Sequence, residues 1–137
     1  MKYYLSIDAG TSIIKTVIFS QDFKIKFKSS IENKVQTDSN GKSEINMKSF
    51  WSLTSKLIKS SLKKSKINPI DLDEVIMGQV LTGGAGQKPA RQAARKSGVP
   101  KKNPAYIVNQ VCGSGLRAVI SGYQSIKLGE SNTIICG

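Results

Sequence analysis

The most informative absence in this sequence of 137 residues is histidine, which does not occur at all. Histidine is the usual general base near neutral pH, so acid–base chemistry in this chain has to use other side chains. Cysteine is also scarce, since Cys112 and Cys136 are the only two, and their spacing does not fit a Cys-x-x-Cys pair. We therefore expect neither a disulfide framework nor a zinc site, and we predict a cytoplasmic protein.

Long apolar runs are missing as well. The first apolar stretch, "YYLSI", is interrupted by Asp8, and this interruption argues against a signal peptide. No later segment approaches the roughly 20 apolar residues that a membrane-spanning helix requires. The sequence therefore predicts that a membrane is not among the partners of the protein.

Arginine is rare although the chain is strongly basic. Lysine and arginine total 21 against 9 acidic residues, which gives a formal net charge of +12, yet only Arg91, Arg95 and Arg117 are arginines. Such a charge suits an anionic partner, either nucleic acid, an acidic membrane surface or a phosphorylated ligand. Base readout and bidentate phosphate contacts favour arginine, however. We therefore interpret the charge as a lysine-rich solvated surface and predict no nucleic-acid partner.

The two halves of the chain follow different patterns. Residues 1–65 contain three strand-like runs with short connections, which predict an antiparallel β-meander, and then a helix with one apolar face. Residues 66–137 alternate in the order β-α-β-α-β, which is typical of a parallel sheet covered by helices. We predict an α/β fold made of two incomplete units, 1–65 and 66–137, and we do not expect them to share one core.

Three local patterns predict side-chain orientation or helix ends. The alternating run "FKIKFK" predicts a strand with Phe23, Ile25 and Phe27 on its buried face. The first helix is expected to be capped by Asn46 and stopped by the "INP" sequence that ends at Pro69. The apolar spacing of the last helix predicts a buried stripe made of Leu116, Val119, Ile120, Tyr123 and Ile126.

The motif "IDAGTSIIK" places Asp8, Gly10 and Thr11 in a tight strand–turn–strand connection. Glycine lets backbone N–H groups come close to an anion, the Thr11 hydroxyl adds a donor, and Asp8 can hold a hydrated Mg²⁺. The pattern is consistent with a phosphate-binding hairpin. It is also consistent with an ordinary Asp-Ala-Gly turn that binds nothing.

The segments "YYLSIDAGTSIIKTVIFSQDFKI" and "GKSEINMKSFW" resemble the N-terminus of FGGY-type carbohydrate kinases, which belong to the actin/hexokinase ATPase superfamily. Glu44 and Trp51 match that family's spacing of an acidic residue and a tryptophan. The resemblance covers residues 1–65 and implies an actin/hexokinase-like start in which Asp8 organises Mg²⁺ while Gly10 and Thr11 face the phosphates of Mg-ATP. Because the kinases encode their catalytic aspartate and adenosine site far downstream, we expect no sugar-dependent ATP consumption.

The stretch "VNQVCGSGLRA" places Cys112 between a predicted strand and a predicted helix. A helix N-terminus carries partial positive charge and free N–H groups, which favour the thiolate. Gly113 and Gly115 keep the turn open to a bulky group. This pattern is typical of an exposed nucleophile elbow. The alternative is a buried cysteine that packs as a small hydrophobic side chain.

The segments "DEVIMGQVL", "GAGQKPARQAA" and "NQVCGSGLRAV" resemble thiolases, the acetyl-CoA acetyltransferase family, in their order and spacing over residues 66–137. The resemblance implies that Cys112 takes the acyl group from a CoA thioester, that acyl-CoA is a substrate rather than a tightly bound cofactor, and that a full-length thiolase is a homodimer or tetramer. Thiolases take their activating histidine and second catalytic cysteine from a C-terminal half. Cys136 ends a core strand and is not that second cysteine, so we expect the chain to be inactive alone.

Three hypotheses follow. The first is a truncated acyl-CoA acyltransferase of the thiolase type, which acts through a thioester on Cys112. The second is a truncated ATP-dependent carbohydrate kinase of the FGGY type, which uses Asp8, Gly10 and Thr11. The third is a non-catalytic chimeric fragment that joins parts of two families.

Overall fold

The computed structural model describes residues 3–10, 12–20, 22 and 24–137. The strands are β1 (Tyr3–Ala9), β2 (Ile13–Ser20), β3 (Ile25–Glu32), β4 (Gln36–Thr37), β5 (Ser43–Glu44), β6 (Glu74–Gly78), β7 (Ala105–Val108) and β8 (Ile134–Cys136). The helices are α1 (Met47–Ser65), α2 (Pro89–Lys96) and α3 (Ser114–Leu128), with a 3₁₀ turn at Pro69–Asp71. The predicted α/β order, a meander and helix followed by β-α-β-α-β, is confirmed.

Six of the strands in the described ranges form one mixed sheet in the order β3-β2-β1-β8-β6-β7. β3, β2 and β1 are antiparallel neighbours, whereas β1, β8, β6 and β7 run parallel. The two predicted units meet where Tyr4 lies opposite Ile134 and Leu5 opposite Ile135. The expectation of two separate cores is therefore wrong, because β8 pairs with the edge of β1 that the meander alone would leave open.

Helices cover both faces of this sheet. α1 and α2 pack on one face, where Leu5, Val75 and Met77 belong to a large buried cluster. α3 packs on the other face, against Ile76 and Ile134. Successive residues of β6 thus point to opposite faces, as the pleat of a strand requires.

The ends of α1 are set by its caps. The Asn46 side-chain oxygen accepts a hydrogen bond from the Ser49 N–H at 3.1 Å, so the predicted N-cap is confirmed. The helix ends at Ser65, and the "INP" sequence directly follows the C-cap residue Lys66, so the predicted stop is confirmed. Lys66 adopts a left-handed backbone with φ of 59°, and its N–H donates to carbonyls of the last turn.

The predicted buried stripe of α3 is largely wrong. Leu116, Ile120 and Tyr123 are exposed, Val119 is half-buried, and only Ile126 of the predicted set is buried. The buried side consists of Ser114, Ala118, Gly122 and Ile126. A Cβ at Gly122 would lie 3.1 Å from the Cys136 sulfur, so α3 packs closely on β8 through its small residues.

The edge strand β3 is less buried than its alternation predicts. Ile25 is exposed, Phe27 and Ile31 are half-buried, and Phe23 lies outside the described residues. The lysine face is exposed as predicted. Lys64 of α1 places its ammonium 4.8 Å from the centre of the Phe27 ring, so α1 covers β3 only in part.

Candidate active site

The carboxyl ends of four strands meet at one edge of the sheet, because β1, β8, β6 and β7 are parallel. This edge is where open α/β sheets usually bind ligands. A cavity of about 530 Å³ opens there. Its wall is formed by the end of β1, the start of α1, the residues that follow β6 and the turn that precedes α3. The volume lies within the range of about 300–1,000 Å³ that is usual for small-molecule sites.

Cys112 lines this cavity and is exposed. It lies in the turn between β7 and α3, and Gly113 is the N-cap of the helix. The turn is closed by hydrogen bonds, since the Gly113 N–H donates to the Gln110 carbonyl at 3.0 Å and the Ser114 hydroxyl oxygen accepts from the Gln110 N–H at 2.8 Å. The predicted strand-to-helix position is confirmed, and Cys112 is not a buried core residue.

Val111, directly before Cys112, has a left-handed backbone with φ of 49°. This conformation is rare for a β-branched residue and costs about 1–3 kcal/mol. The side chain is 65% exposed, so packing offsets little of that cost. Ser114 holds the turn by donating its hydroxyl proton to the Val111 carbonyl at 2.6 Å. Strain of this kind concentrates at functional turns, which supports a role for this one.

Two glycines allow the turn and the strands to approach each other. A Cβ at Gly78, at the end of β6, would lie 2.4 Å from the Gly115 nitrogen and from the Ser114 carbonyl carbon. A Cβ at Gly137 would lie 1.8 Å from the Ile7 carbonyl oxygen. The Gly78 N–H donates to the Gly137 carbonyl at 2.7 Å. These contacts fix the start of α3 against the ends of the central strands.

The predicted phosphate hairpin contributes to the same cavity. Asp8 and Gly10 both line it, while Thr11 lies outside the described residues. The backbone of Asp8 lies opposite that of Lys15 in the β1–β2 ladder. A Cβ at Gly10 would lie 2.8 Å from the Ile13 carbonyl oxygen, so the turn requires glycine. The sequence predicted two distinct half-sites, and the fold joins Asp8, Gly10 and Cys112 in one cavity.

The sequence did not predict that the first turns of α1 belong to the site. Met47, Phe50 and Trp51 line the cavity. The Phe50 and Trp51 rings pack edge to face, with centroids 5.1 Å apart. Trp51 is 5% exposed, and its indole nitrogen Nε1 is buried without a hydrogen-bond acceptor among the described residues. The amphipathic pattern of α1 places these residues in a core, but not at the edge of a cavity.

Gln79, which follows β6, was also missed. It lines the cavity, and its side-chain nitrogen Nε2 donates to the Leu81 carbonyl at 2.8 Å. A carbonyl oxygen only accepts hydrogen bonds, so this contact fixes which end of the amide faces Leu81. The other end, Oε1, is buried and has no donor in the described part of the chain.

Cys136 is buried beneath α3, and its sulfur lies 3.7 Å from the Leu5 carbonyl oxygen. Burial, and secondarily the charge of Glu74, raises the pKa of the Cys136 thiol from 9.0 to about 12. A thiol in this state is not a nucleophile at neutral pH. The prediction that Cys136 is a core residue is confirmed.

Metal binding and membrane insertion also bear on the function. Among the described residues, no group of three or more His, Cys, Asp or Glu side chains could hold a metal ion. Asp8 is therefore not part of a ready-made cluster of protein ligands for Mg²⁺. Within the same residues, no helix is long and apolar enough to cross a membrane.

Comparison with known proteins identifies the family. The family model described as "Thiolase, N-terminal domain" matches residues 34–137. The chain belongs to this family. The match begins inside the segment assigned to a carbohydrate kinase, so residues 34–65 also fall within the thiolase model. None of the similarities found supports the kinase-like segment, so that assignment stays a prediction. The division of the chain at residue 65 also stays a prediction.

The curated relatives are much longer than this chain. A "Probable acetyl-CoA acyltransferase" of Staphylococcus aureus is 47% identical over 87 residues, which are 64% of this chain and 22% of the relative. The acetyl-CoA acetyltransferase of Cupriavidus necator is 48% identical over 81 residues, which are 59% of this chain and 21% of the relative. The chain thus spans about a fifth of the length of these relatives.

Solved structures show the same fold. The Acat5 thiolase of Ascaris suum, determined in complex with coenzyme A, matches 96% of this chain and 28% of its own, with a TM-score of 0.62 and 23% identity. Human mitochondrial 3-ketoacyl-CoA thiolase, in complex with CoA, matches 63% of this chain and 22% of its own, with a TM-score of 0.58 and 33% identity. The mixed α/β fold is therefore thiolase-like.

Proposed function

We propose that this chain carries the acyl-accepting part of a thiolase-type acyl-CoA acyltransferase, with Cys112 as the nucleophile. The observation that carries the proposal is the position of Cys112, which is exposed in a strained turn at the start of α3 and opens into the cavity at the parallel strand ends. The membership of the chain in the thiolase family supports the same reaction class.

The reaction follows from this position. The Cys112 sulfur, as thiolate, attacks the carbonyl carbon of an acyl-CoA thioester and forms a new carbon–sulfur bond. The tetrahedral intermediate collapses, the original carbon–sulfur bond breaks, and CoA leaves as a thiolate that takes up the proton lost by Cys112. The Cys112 backbone N–H is the proposed donor to the oxyanion. The partial positive charge at the start of α3 stabilises both anions.

The absence of histidine limits this chemistry. General base catalysis contributes about 10²–10⁴ in rate, and the 137 residues contain no imidazole to supply it. The second half of a thiolase reaction, in which a carbanion attacks the acyl-enzyme, also needs a base. The proposed activity of this chain alone is therefore slow acylation of Cys112 without turnover.

Intact-protein and peptide mass spectrometry after incubation with acetyl-CoA test the proposal. One acetyl group per chain is expected on the peptide that contains Cys112, with release of an equal amount of CoA. The Cys136→Ala variant should be acetylated like the original chain, and the Cys112→Ala variant should not react. An adduct on Cys136, or no adduct after prolonged incubation, would contradict the proposal.

The kinase resemblance remains a second candidate because Asp8 and Gly10 line the cavity. In this alternative, Mg-ATP binds the β1–β2 hairpin through Asp8, Gly10 and Thr11. Hydrogen exchange tests it, since bound Mg-ATP would protect the backbone amides of the hairpin while acetyl-CoA would protect those around Cys112. Protection by neither ligand would favour the non-catalytic fragment.

The remaining assignments are also proposals. Acyl-CoA is the proposed partner, a homodimer or tetramer is proposed only for a complete thiolase, and the proposed location is the cytoplasm. Size-exclusion chromatography with light scattering tests the oligomeric state. A chain that stays monomeric at high concentration would show that this part of the fold does not assemble by itself.

A further inference from the structure

Positive and negative charges are segregated in this fold. α1 carries five lysines, and α2 carries two arginines and one lysine, whereas neither helix contains an acidic residue. The 9 acidic residues of the chain lie in strands, in loops and in the 3₁₀ turn. Because α1 and α2 pack on the same face of the sheet, the helices on that face contribute positive charge only.

Four of the five lysines in α1 form one exposed row along the helix, which we call the lysine row: Lys48, Lys56, Lys59 and Lys63. With 3.6 residues per turn and a rise of 1.5 Å per residue, the row occupies about a quarter of the helix circumference and extends over about 22 Å. Ser52 lies within the row, and no apolar side chain interrupts it. The lysine row is therefore a line of charges that faces solvent.

No acidic side chain in the described ranges neutralises the lysine row. The described residues form two ion pairs, and both lie outside the helices: Lys24 with Asp22 and Lys42 with Glu44. Spacings of three and four residues place Lys59 beside Lys56 and Lys63, and like charges at these spacings destabilise a helix. The stability of α1 therefore does not explain the row, whereas an anionic partner would.

The lysine row does not fit the way in which a helix binds at a membrane surface. An interfacial helix inserts an apolar face into the bilayer. The apolar face of α1 is buried in the core, and none of the large exposed hydrophobic side chains belongs to α1. A partner would therefore be held by charge alone. A linear polyanion suits such a row better than a plane does, because its charges can follow the line of lysines.

We propose that the lysine row of α1 binds the phosphate backbone of a nucleic acid without reading its sequence. Duplex DNA carries one negative charge per about 1.7 Å, so several phosphates lie along the row. A lysine ammonium binds phosphate as a point charge and needs no arginine beside it. The prediction of no nucleic-acid partner rested on base readout and on the total charge, and neither shows that the charges of α1 lack counter-charges. The inference does not depend on the proposed acylation of Cys112.

Fluorescence anisotropy with two labelled DNA duplexes of unrelated sequence, each about 20 base pairs long and thus longer than the row, tests the proposal. Both duplexes should bind with the same affinity at low salt. The logarithm of Kd should rise linearly with the logarithm of the salt concentration, with a slope of about 0.9 per phosphate contact. In a triple variant with Lys56→Gln, Lys59→Gln and Lys63→Gln, this slope should decrease by about 2.7.

A second triple variant, with Lys15→Gln, Lys28→Gln and Lys127→Gln, is the matched control. It removes the same charge from the other face of the sheet, because Lys15 and Lys28 alternate with the residues that face α1 and Lys127 belongs to α3. Its salt dependence should stay close to that of the original chain. Glutamine and lysine have similar helix propensities, so both variants should fold, and circular dichroism with urea denaturation checks this.

Each of the other outcomes overturns the proposal. The absence of binding at low salt would show that the lysine row is only solvated. An equal decrease of the slope in both triple variants would mean that the total charge, rather than the row, attracts DNA. Unequal affinities for the two duplexes would indicate base readout. Tighter binding to phosphatidylserine vesicles than to DNA would assign the row to a membrane surface instead.

Discussion

Cys112 lies in an exposed turn at the start of α3, whereas Cys136 lies in β8 beneath the middle of the same helix and is 2% exposed. The helix dipole places partial positive charge at the start of α3, beside Cys112. The middle of the helix closes over Cys136, where Gly122 allows the two elements to touch. One helix therefore favours reaction at one thiol and prevents it at the other.

The largest expected difference between these two regions is in alkylation rate. With iodoacetamide at pH 8, Cys112 should be labelled at least about 100-fold faster than Cys136. A pKa of about 12 leaves on the order of one Cys136 thiol in 10⁴ ionised at that pH, and the thiolate is the reactive form. Peptide mass spectrometry over time measures both rates. Labelling in denaturant is the control, and it should bring the two rates close together. Equal rates in the native chain would contradict the difference in reactivity between Cys112 and Cys136.

The contact that holds the Cys112 region in place can be broken at Gly78. Gly78→Ala should lower the free energy of unfolding by about 3 kcal/mol or more, because the added Cβ meets backbone atoms of Ser114 and Gly115 at 2.4 Å. Urea denaturation measures this change. Gly83→Ala is the matched control, since a Cβ at Gly83 meets nothing within 4 Å and little change is expected. If both variants are equally stable, the start of α3 is not fixed by β6.

The Cys136 region should make stability depend on alkaline pH. The unfolded thiol ionises near pH 9, whereas burial raises the folded pKa of Cys136 to about 12. Above pH 9 the unfolded state therefore binds fewer protons, and the free energy of unfolding falls by up to about 1.4 kcal/mol per pH unit until pH 12. This contribution is fully present below pH 9.

Urea denaturation of the original chain and of Cys136→Ala at pH 8 to 10.5 isolates this effect. Tyr106, whose pKa is also raised to about 12 by burial and by Glu74, titrates in both proteins and cancels in the comparison. The original chain should lose more stability than the variant as the pH rises. Parallel curves would show that Cys136 is accessible to solvent in the native state.

Sequence patterns predicted a structural feature correctly where the contacts that determine that feature are local. The position of Cys112 between a strand and a helix and the capping role of Asn46 depend on neighbouring residues, and both are confirmed. The pairing of β1 with β8 joins residues about 130 positions apart in the chain, such as Tyr4 and Ile134, and no local pattern specifies it. The shared cavity follows from that pairing and was missed for the same reason.

The error in α3 has a different cause. Apolar spacing shows which side chains share a face of a helix, but not which face lies on the sheet. Ala118 and Gly122 are buried because their small size lets the helix pack closely, whereas Leu116 and Tyr123 on another face stay exposed. The close packing of Gly122 on Cys136 goes with this orientation, and it becomes visible only once β8 is in place.

The smallest expected effect concerns the strain in the Cys112 turn. Val111→Gly should raise the free energy of unfolding by about 0.5 kcal/mol, because relief of the left-handed backbone is worth about 1–2 kcal/mol and the added freedom of the unfolded chain costs about 0.4–1 kcal/mol. The loss of the Val111 side chain contributes little, since it is 65% exposed. Val111→Ala keeps a Cβ and the strain with it, so it should not stabilise the chain. Thermal and urea denaturation measure the stability of both variants. If Val111→Gly is less stable than the original chain, the restricted backbone of valine stabilises the turn and is not a source of strain.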